Sequence, residues 1–454
     1  MSSKIEANGN LALLGGEKAV MDDQKDIFTW PIFTEKHEKA LLDVLRHNSI
    51  SGIDITRQFE SKYADTLGRK YGLTAPNGTA SVLEAMYGLG IGVGDEVIAP
   101  SITYWASIVQ AYNLGATVVF ADIKAETLCI DPVDIEKKIT ERTKAIVVVH
   151  YSAMPANMDA ISAIAEKHNL KVLEDCSHAH GGQYKGKNIG TFGDASVFSL
   201  MSGKSFPIGE GGIFFTDDRE VYERAILFGH YIRHNEIELE SYKPFVGLPC
   251  GGFKNRLNQL CSALGLVELD IYPAKIDEID RAMNYFCDGL EGLPAVKIIR
   301  PEKNSGTTKG GWYYPVFGYA GDELEGLSLE RFARAVRAEG SVCSPGFTKP
   351  LHTHPLFTKM DVYGHDRPTR TANIDENVNT KHYFEPLAVS ENINSRTFVV
   401  PWFKIYYPDI IDQHIEAYRK VVENYRLLLA ADNKQDQKRT TVGYTSFFRE
   451  HNSD

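Results

Sequence analysis

The sequence predicts an α/β protein built on a mostly parallel sheet with helices on its faces. Short runs of β-branched and other apolar residues alternate with segments whose apolar residues recur every three or four positions, as in strands separated by helices. The chain has 454 residues, of which 43% are hydrophobic, enough for more than one domain with its own core. After residue 275 the pattern changes, which predicts a second, smaller α/β domain.

Apolar runs between residues 30 and 275 are the predicted strands: Asp95–Pro100, Thr117–Phe120, Ala145–His150, Lys171–Glu174, Ser196–Ser199 and Gly212–Thr216. The predicted helices lie around and between them: Glu35–His47, Gly78–Leu89, Trp105–Asn113, Asp134–Ile139 and Asp159–His168. Binding sites in such folds gather at the carboxyl ends of the strands. The residues that follow each strand are therefore the candidates for chemistry.

The chain divides into four predicted parts: an N-terminal segment (1–29), a large domain (30–275), a smaller C-terminal domain (276–431) and a polar tail (432–454). The amphipathic stretch Leu269–Leu293 is the predicted connecting helix. Residues 358–396 are polar and turn-rich, which predicts a long surface loop of the small domain, near its substrate-facing side. His352 and His354 lie in a proline-bounded turn and are expected to be ordinary surface residues.

Composition and charge exclude several classes of function. Acidic residues number 60 against 49 basic ones, a formal charge of −11, and no basic block interrupts them, so we expect no nucleic-acid partner. No apolar run is long enough for a membrane span and the amino terminus lacks a secretory signal, which predicts a cytoplasmic protein without a membrane partner. The six cysteines have no metal-ligand spacing, so we predict no metal and buried, reduced thiols.

Lys204 is the first candidate catalytic residue. It follows a predicted buried strand and is surrounded by apolar residues and glycines over residues 198–212. Poor solvation disfavours the ammonium form and leaves an amine that can form a Schiff base near neutral pH. The alternative for a lone lysine is an exposed loop position. Gly203-Lys204-Ser205 also matches the end of a phosphate-binding P-loop, but Phe198 stands where that motif requires glycine.

A second group of candidates follows the strand Lys171–Glu174. Asp175 stands at its carboxyl end, where an aspartate in a pyridoxal phosphate site keeps the ring nitrogen protonated. The alternative for Asp175 is a helix cap or a turn residue. His178 and His180 have no third ligand for a metal in the sequence, so we interpret them as hydrogen-bonding residues near such a ring.

The sequence also contains candidate residues for binding a phosphate group and for stacking on a cofactor ring. The segment 76–81 opens a predicted helix with small residues whose backbone N–H groups are free to face an anion, although an ordinary helix start has the same pattern. Ser199 adds a hydroxyl from the end of a strand. Tyr104 and Trp105 follow the strand Asp95–Pro100, which predicts that one lies flat on a cofactor ring while the other packs in the core.

These residues, in this order, resemble the sugar and aminocyclitol aminotransferases of the DegT/StrS group, which are fold-type I pyridoxal phosphate enzymes. The resemblance extends from about residue 13 to residue 293 and returns at the end of the small domain. Its matched segments include Asn77–Ala80, Gly90–Pro100, Glu174–Cys176, Phe198–Ser199, Lys204 and Gly209–Gly212. It implies a mostly parallel seven-stranded sheet, pyridoxal 5′-phosphate as the cofactor and a homodimer whose active sites borrow residues from the partner subunit.

The resemblance also implies roles for individual residues. Lys204 would bond the cofactor and shuttle the proton, and Asp175 would pair with the pyridine nitrogen. The remaining cofactor-binding positions are Gly78, Thr79 and Ser199 for the phosphate, Tyr104 in preference to Trp105 for stacking on the ring, and His178 beside the phenolic oxygen.

The segment Gly252–Arg256 departs from the pattern of most of this group. Relatives that act on nucleotide-linked keto-sugars carry Gly-x-Asn-Tyr-Arg, in which the asparagine reaches the neighbouring subunit's phosphate, whereas Lys254 stands in that place here. The cyclitol aminotransferases, such as those acting on scyllo-inosose, resemble the lysine version. A cation near a phosphate dianion would strengthen cofactor retention. The alternative is that Lys254 caps a helix and Asn255 takes the role.

The resemblance implies an aminotransferase that moves an amino group from glutamine or glutamate to a keto-cyclitol or keto-sugar, in aminosugar or secondary-metabolite biosynthesis. One alternative keeps the cofactor but performs elimination, cyclisation or dehydration. Relatives that dehydrate deoxysugars carry histidine at the position of Lys204, which argues against dehydration. A second alternative is a non-catalytic regulator of the same fold, against which the presence of Lys204, Asp175 and Ser199 argues.

Overall fold

The computed structural model describes residues 11–21 and 25–429 of the chain. The predicted tail (432–454) and the start of the N-terminal segment lie outside the described residues. Thirteen strands occur in the described part: β1 Tyr71–Ala75, β2 Glu96–Pro100, β3 Thr117–Ala121, β4 Thr143–Val149, β5 Lys171–Asp175, β6 Gln183–Tyr184, β7 Lys187–Asn188, β8 Ala195–Ser199, β9 Gly212–Thr216, β10 Val296–Lys297, β11 Val316–Tyr319, β12 Ser344–Pro345 and β13 Thr397–Val399.

The main sheet has seven strands in the order β1-β9-β8-β5-β4-β2-β3. Strands β3, β2, β4, β5 and β8 run parallel to one another, and β9 is antiparallel to both β8 and β1. Buried apolar side chains fill both faces of the parallel strands, as a sheet covered by helices on each side requires. The predicted α/β fold class is confirmed.

Strand β1 is the member of this sheet that the sequence pattern did not predict. It reads Tyr-Gly-Leu-Thr-Ala, with a glycine and a polar residue in its centre, and pairs with β9 from Tyr71–Thr216 to Ala75–Gly212. Its buried Thr74 is satisfied by Glu60, whose Oε1 accepts both the backbone N–H and the hydroxyl at 2.8 Å. Tertiary hydrogen bonding compensates for the weak local β-propensity of this segment.

The helices of the described part are α1 Lys25–Phe28, α2 Glu35–Arg46, α3 Asp54–Leu67, α4 Gly78–Gly88, α5 Gln110–Asn113, α6 Pro132–Lys138, α7 Met158–His168, α8 Arg219–Gly229, α9 Gln259–Leu290, α10 Leu329–Ala338, α11 Pro355–Thr358, α12 Ala388–Asn392, α13 Pro408–Glu423 and α14 Tyr425–Leu429. Helices α4, α7 and α9 each begin after an asparagine whose side chain accepts a backbone N–H of the first turn. None of the described helices is both long and apolar enough to cross a membrane.

Helix α9 connects the two parts of the molecule and is longer than the predicted connecting helix. Its first half packs into the core of the large sheet through Leu264, Leu269 and Tyr272. Its second half joins the core of the smaller sheet, from Ile279 to Leu290. The domain division at residue 275 stays a prediction, and the change of core along α9 occurs just beyond that position.

The smaller sheet is antiparallel, with the order β10-β11-β13-β12. Helices α10 and α13 pack with the second half of α9 on this sheet around buried aromatic rings, among them Phe317, Phe332, Phe398 and Tyr418. The segment that precedes β11 extends from the smaller sheet to the turn that follows β8 of the large sheet. This segment includes Tyr313, whose ring reaches the candidate active site.

Residues 358–396 are not simply the surface loop that their polar composition predicts. Arg370 and Tyr383 of this segment are each only 1% exposed. Arg370 Nε donates to the carbonyl oxygen of Val118 on the edge strand β3 at 2.9 Å, and Ser390 donates to the Asp122 carboxylate beyond the same strand. The segment therefore covers the edge of the large sheet, where its polar groups satisfy groups that an uncovered edge leaves unpaired.

Candidate active site

Lys204 lies in the turn between β8 and β9, at the carboxyl end of the parallel strands. Its backbone N–H donates to the carbonyl oxygen of Met201 at 2.8 Å, and its own carbonyl accepts the indole N–H of Trp30 at 2.8 Å. The amine lies 4.2 Å from the centroid of the Tyr313 ring. Desolvation lowers the pKa of Lys204 to about 8, against an opposing effect of the Asp175 charge. The structure thus holds an amine that loses its proton far more readily than an exposed lysine.

Asp175 ends strand β5 and is 6% exposed. Its Oδ2 accepts the Ser107 hydroxyl at 2.6 Å and its Oδ1 accepts the backbone N–H of Ser177 at 3.0 Å. The charge of this carboxylate is the one that raises the pKa of Lys204. The two residues predicted to carry the chemistry therefore lie close enough for the charge of one to act on the other.

The first turn of α4 lies against the end of β8. A Cβ atom on Gly78 would come within 2.8 Å of Cβ of Ser199, so only glycine allows this approach. Asn77 caps the helix by accepting the Ala80 N–H at 2.9 Å, and Thr79 is half-buried in the first turn. Backbone N–H groups at a helix start and the Ser199 hydroxyl are suitable partners for a phosphate.

His178 lies beside the Lys204 amine and is neutral. Burial, with the nearby positive charge of Lys204, holds the pKa of His178 well below its ordinary value. Its ring contacts Tyr313, with centroids 4.8 Å apart, and Tyr151, with centroids 5.2 Å apart. The buried Nδ1 atom has no hydrogen-bond partner within the described part of the chain. A buried polar atom in this state calls for a ligand or a water.

Tyr104 and Trp105 are both exposed, at 46% and 36%, and their ring centroids lie 4.9 Å apart. The expectation that one of them packs in the core is wrong. The core positions of this loop are taken by the smaller Ala106 and Ser107. The assignment of Tyr104 as the residue that stacks on the ring stays a prediction.

The cluster fits pyridoxal phosphate. Its amine of lowered pKa suits an aldehyde, the carboxylate of Asp175 suits a protonated ring nitrogen, and the unpartnered nitrogen of His178 suits a phenolic oxygen. The close approach of Gly78 to Ser199 brings the backbone N–H groups of the first turn of α4 next to the Ser199 hydroxyl, and both are suitable partners for a phosphate. The assignment of each residue to its part of the cofactor is therefore a proposal with a geometric basis.

Lys254 does not join this cluster. It is exposed, and its amine lies 6.0 Å from the centroid of the Tyr231 ring. Tyr231 belongs to a segment that packs against α3 through the Arg233–Glu60 ion pair. Asn255, the alternative, is 7% exposed and donates its backbone N–H to the Gly229 carbonyl. The Lys254 side chain is the exposed one of the two, whereas the buried Asn255 Nδ2 has no hydrogen-bond partner among the described residues, so the choice between them stays a prediction.

Two other histidines are buried, and each forms two hydrogen bonds within the protein. His180 lies in the core, where its ring nitrogens bond with the Tyr63 hydroxyl at 3.0 Å and the Ser199 carbonyl oxygen at 2.8 Å. His352 is not the surface residue that its turn predicts. It is 7% exposed and connects Ser101, at 2.6 Å, to Glu391, at 3.1 Å.

His150, Glu174 and Cys176 lie close enough together to suggest a metal site. However, His150 Nδ1 accepts the Ala156 N–H at 3.1 Å, so Nε2 carries the proton and donates to Glu174 at 3.2 Å. Three backbone N–H groups also donate to the Glu174 carboxylate. Burial raises the pKa of the Cys176 thiol well above its ordinary value, whereas metals bind thiolates. The trio is therefore a hydrogen-bonded support for the strand that carries Asp175.

Sequence reasoning missed Tyr313 and Ser107. Tyr313 belongs to the segment before β11 of the smaller sheet, and its only signal was the aromatic run 312–314 after two glycines. Ser107 lies in the segment after β2 that was singled out for Tyr104 and Trp105, but it was not itself a candidate. A serine three positions after an exposed aromatic gave no reason to expect a bond to a carboxylate on another strand.

Comparison with known proteins agrees with this geometry. Residues 31–393 match the family described as the DegT/DnrJ/EryC1/StrS aminotransferase family. L-glutamine:scyllo-inosose aminotransferase of Streptomyces griseus is 31% identical over 436 residues, which cover 92% of this chain and 99% of that protein. GDP-perosamine synthase of Escherichia coli O157:H7 is 37% identical over 331 residues, which cover 72% of this chain and 86% of that protein.

A similar fold is found among solved structures. The X-ray structure of the aminotransferase from Psychrobacter cryohalolentis superposes with a TM-score of 0.76 at 27% identity. The match covers 88% of this chain and all of that one.

Proposed function

The chain belongs to the DegT/DnrJ/EryC1/StrS aminotransferase family, and from this premise we propose that it is a pyridoxal phosphate-dependent enzyme that transfers an amino group from glutamine or glutamate to a keto-cyclitol or keto-sugar. The observation that carries the proposal is the Lys204 amine, whose pKa desolvation lowers to about 8 although the charge of nearby Asp175 opposes the shift.

Residues of the candidate active site would hold four parts of the cofactor. Lys204 would hold its aldehyde carbon, Asp175 its ring nitrogen and His178 its phenolic oxygen, while the first turn of α4 and Ser199 would hold the phosphate. The exposed rings of Tyr104 and Trp105 offer a flat surface for the cofactor ring. When bound, pyridoxal phosphate supplies an electron-withdrawing ring that stabilises negative charge at the substrate carbon.

Lys204 also has the properties of the base that moves the substrate proton. A general base works best when its pKa lies near the operating pH, and burial brings Lys204 to about 8. Its amine can then accept the proton from Cα of the amino donor and return it during amination of the acceptor. The neighbouring His178 is neutral, so it does not compete for this proton at neutral pH.

The acceptor class is supported by relatives of two kinds. The Streptomyces griseus relative is named for scyllo-inosose, a cyclitol ketone, and the Escherichia coli relative for a GDP-linked sugar. The cyclitol relative matches nearly the whole chain, and Lys254 stands where the sequence pattern separates the two kinds. A keto-cyclitol is therefore the first acceptor to test.

We infer that two copies of the chain form the active enzyme, with Lys254 reaching the partner subunit's phosphate site. The exposed apolar side chains of Phe245, Leu248 and Phe253 lie on the same segment as Lys254. Such a group of exposed apolar residues is typical of an association surface. Six free cysteines support a reducing compartment, the cytoplasm, as its location.

The test of this function is a pair of half-reactions on the purified holoenzyme. Glutamine, glutamate and other amino acids are added singly, and loss of the absorbance of the lysine-bound cofactor identifies the donor. The resulting amino form is then offered scyllo-inosose, related keto-cyclitols and nucleotide-linked keto-sugars. Recovery of the original absorbance with a keto-cyclitol or keto-sugar supports the proposal. Full conversion by a donor with no recovery from any ketone of either class contradicts it.

A further inference from the structure

The loop that follows β2 is hydrogen-bonded to the carboxylate of Asp175. Ser107 Oγ lies 2.6 Å from Asp175 Oδ2, and Thr103 Oγ1 lies 3.0 Å from Ser107 Oγ. The carboxylate only accepts, so the single hydroxyl proton of Ser107 is donated to it. Thr103 must then donate its own proton to Ser107. The chain of bonds has one direction, from Thr103 through Ser107 to Asp175.

The second carboxylate oxygen is held from a different element. Asp175 Oδ1 accepts the Ser177 N–H at 3.0 Å. With one donor fixed on each oxygen, the carboxylate plane has a set orientation. Each ionised oxygen still has a lone pair for one further donor. This is the arrangement that a residue needs if it is to present a carboxylate to a ring nitrogen in a fixed direction.

The loop itself is anchored at its start. Ser101 Oγ lies 2.6 Å from His352 Nδ1, and the Ser101 carbonyl accepts the Leu351 N–H at 2.9 Å. Both Thr103 and Ser107 are at most 3% exposed, so no water competes for these bonds. The loop therefore has a rigid frame on which the exposed Tyr104 is also carried.

We propose that Ser107 is a positioning residue for Asp175, and that Thr103 orients Ser107 through its hydroxyl. This inference rests on the proposed function, because it takes Asp175 as the partner of the cofactor's ring nitrogen. The Ser107 hydroxyl fixes the carboxylate in the direction of that nitrogen and shares the negative charge of Oδ2. One loop thus sets the direction of the carboxylate and carries Tyr104, the residue predicted to stack on the cofactor ring.

The test compares Ser107→Ala with Ser107→Thr, which keeps the hydroxyl, in holoenzyme loaded with ¹⁵N-labelled pyridoxal phosphate. The readouts are the ¹⁵N chemical shift of the ring nitrogen and the dissociation constant of the cofactor. We expect Ser107→Ala to move the chemical shift and to weaken cofactor binding by about tenfold, the effect of one hydrogen bond to a charged group. Ser107→Thr is expected to keep both at wild-type values.

Two further variants make the result decisive. Thr103→Val removes the donor to Ser107 and is expected to shift the ¹⁵N resonance in the same direction as Ser107→Ala, by a smaller amount. Asp175→Asn tests the proposed function separately, because it removes the charge that faces the nitrogen. If Asp175→Asn changes the resonance but Ser107→Ala and Thr103→Val leave it and the dissociation constant at wild-type values, the role of Ser107 is refuted. If Asp175→Asn also has no effect, the assignment of Asp175 to the ring nitrogen fails and the inference fails with it, whereas the half-reactions test the proposed function independently.

Discussion

The amine of Lys204 lies over the face of the Tyr313 ring, 4.2 Å from its centroid. Lys204 belongs to a turn of the large sheet and Tyr313 to the segment before β11 of the smaller sheet, so the contact joins the two sheets at the reactive group. The negative face of an aromatic ring attracts an ammonium ion, whereas burial disfavours it. We therefore expect the Tyr313 ring to favour the ammonium form of Lys204, in the same direction as the Asp175 charge and against desolvation.

Replacement of Tyr313 by leucine is expected to lower the pKa of Lys204 further, by about half a unit to one unit, because the apolar surroundings remain and the attraction of the ring is lost. Tyr313→Phe keeps the ring and is expected to keep the wild-type pKa. The measurement is the pH dependence of the rate at which the apoprotein amine captures pyridoxal phosphate. Equal midpoints for the leucine and phenylalanine variants would refute the role of the ring.

The same rate in the wild-type apoprotein is expected to rise with pH to a midpoint at about 8, rather than at the 10.5 of an ordinary lysine, because only the neutral amine reacts. Lys309 offers a matched control. It is another buried lysine whose pKa desolvation lowers to about 8, but its amine bonds to the Ile299 carbonyl. Lys309→Met should leave the midpoint unchanged, and a wild-type midpoint near that of free lysine would contradict the account.

Lys204 is expected to destabilise the apoprotein at neutral pH. Its pKa is lower in the folded state than in the unfolded chain, so the unfolded chain binds the proton more tightly and stability rises as pH climbs from about 8 towards 10.5. Lys204→Met should raise the free energy of unfolding by about 1–3 kcal/mol at neutral pH, and the gain should shrink above pH 8. Urea unfolding at several pH values measures this, and a variant less stable than wild type at neutral pH would be the opposite result.

The segment 358–396 is expected to contribute to the stability of the large sheet. Glu96 is fully buried and accepts bonds from Thr140 at 2.7 Å, from Arg142 at 2.6 Å and from the Tyr383 hydroxyl of that segment. Glu96→Gln removes the buried charge that accepts these bonds, while Arg142 is 23% exposed and keeps Glu141 nearby, so the change should cost about 2–3 kcal/mol.

The matched control is Glu385→Gln, which breaks the Lys138–Glu385 ion pair at 2.5 Å, where the glutamate side chain is 56% exposed. Solvent screens the glutamate end of that pair, whereas the Lys138 side chain is only 7% exposed, so its loss should cost about 1 kcal/mol, less than the loss of Glu96. Urea unfolding compares the two variants, and equal losses would show that the buried network does not bind the segment to the sheet.

The parallel strands and the positions of Asp175 and Lys204 were predictable because they depend on local pattern. Buried parallel strands are continuous apolar runs, and functional residues follow them directly. Strand β1 and the cover formed by residues 358–396 were not predictable in this way. Thr74 and Arg370 are polar, and each is buried because a partner distant in sequence, Glu60 or Val118, accepts its hydrogen bond.

In the candidate site, too, some residues were predictable from the local sequence and others were not. Gly78 and Ser199 were predicted from the sequence, and the structure explains the glycine by its close approach to the serine. The contact of Tyr313 with Lys204 depends on the docking of two sheets, and the bond of Ser107 to Asp175 depends on the fold of a loop. Neither leaves a local pattern in the chain.

The most direct measurement is to reduce the holoenzyme with borohydride and locate the attached cofactor by peptide mass spectrometry. We expect the phosphopyridoxyl mass on the peptide that contains Lys204, no label in Lys204→Met, and wild-type labelling in Lys309→Met. Labelling of Lys309 or another lysine in the wild-type enzyme, or no labelling at all, would contradict the central claim.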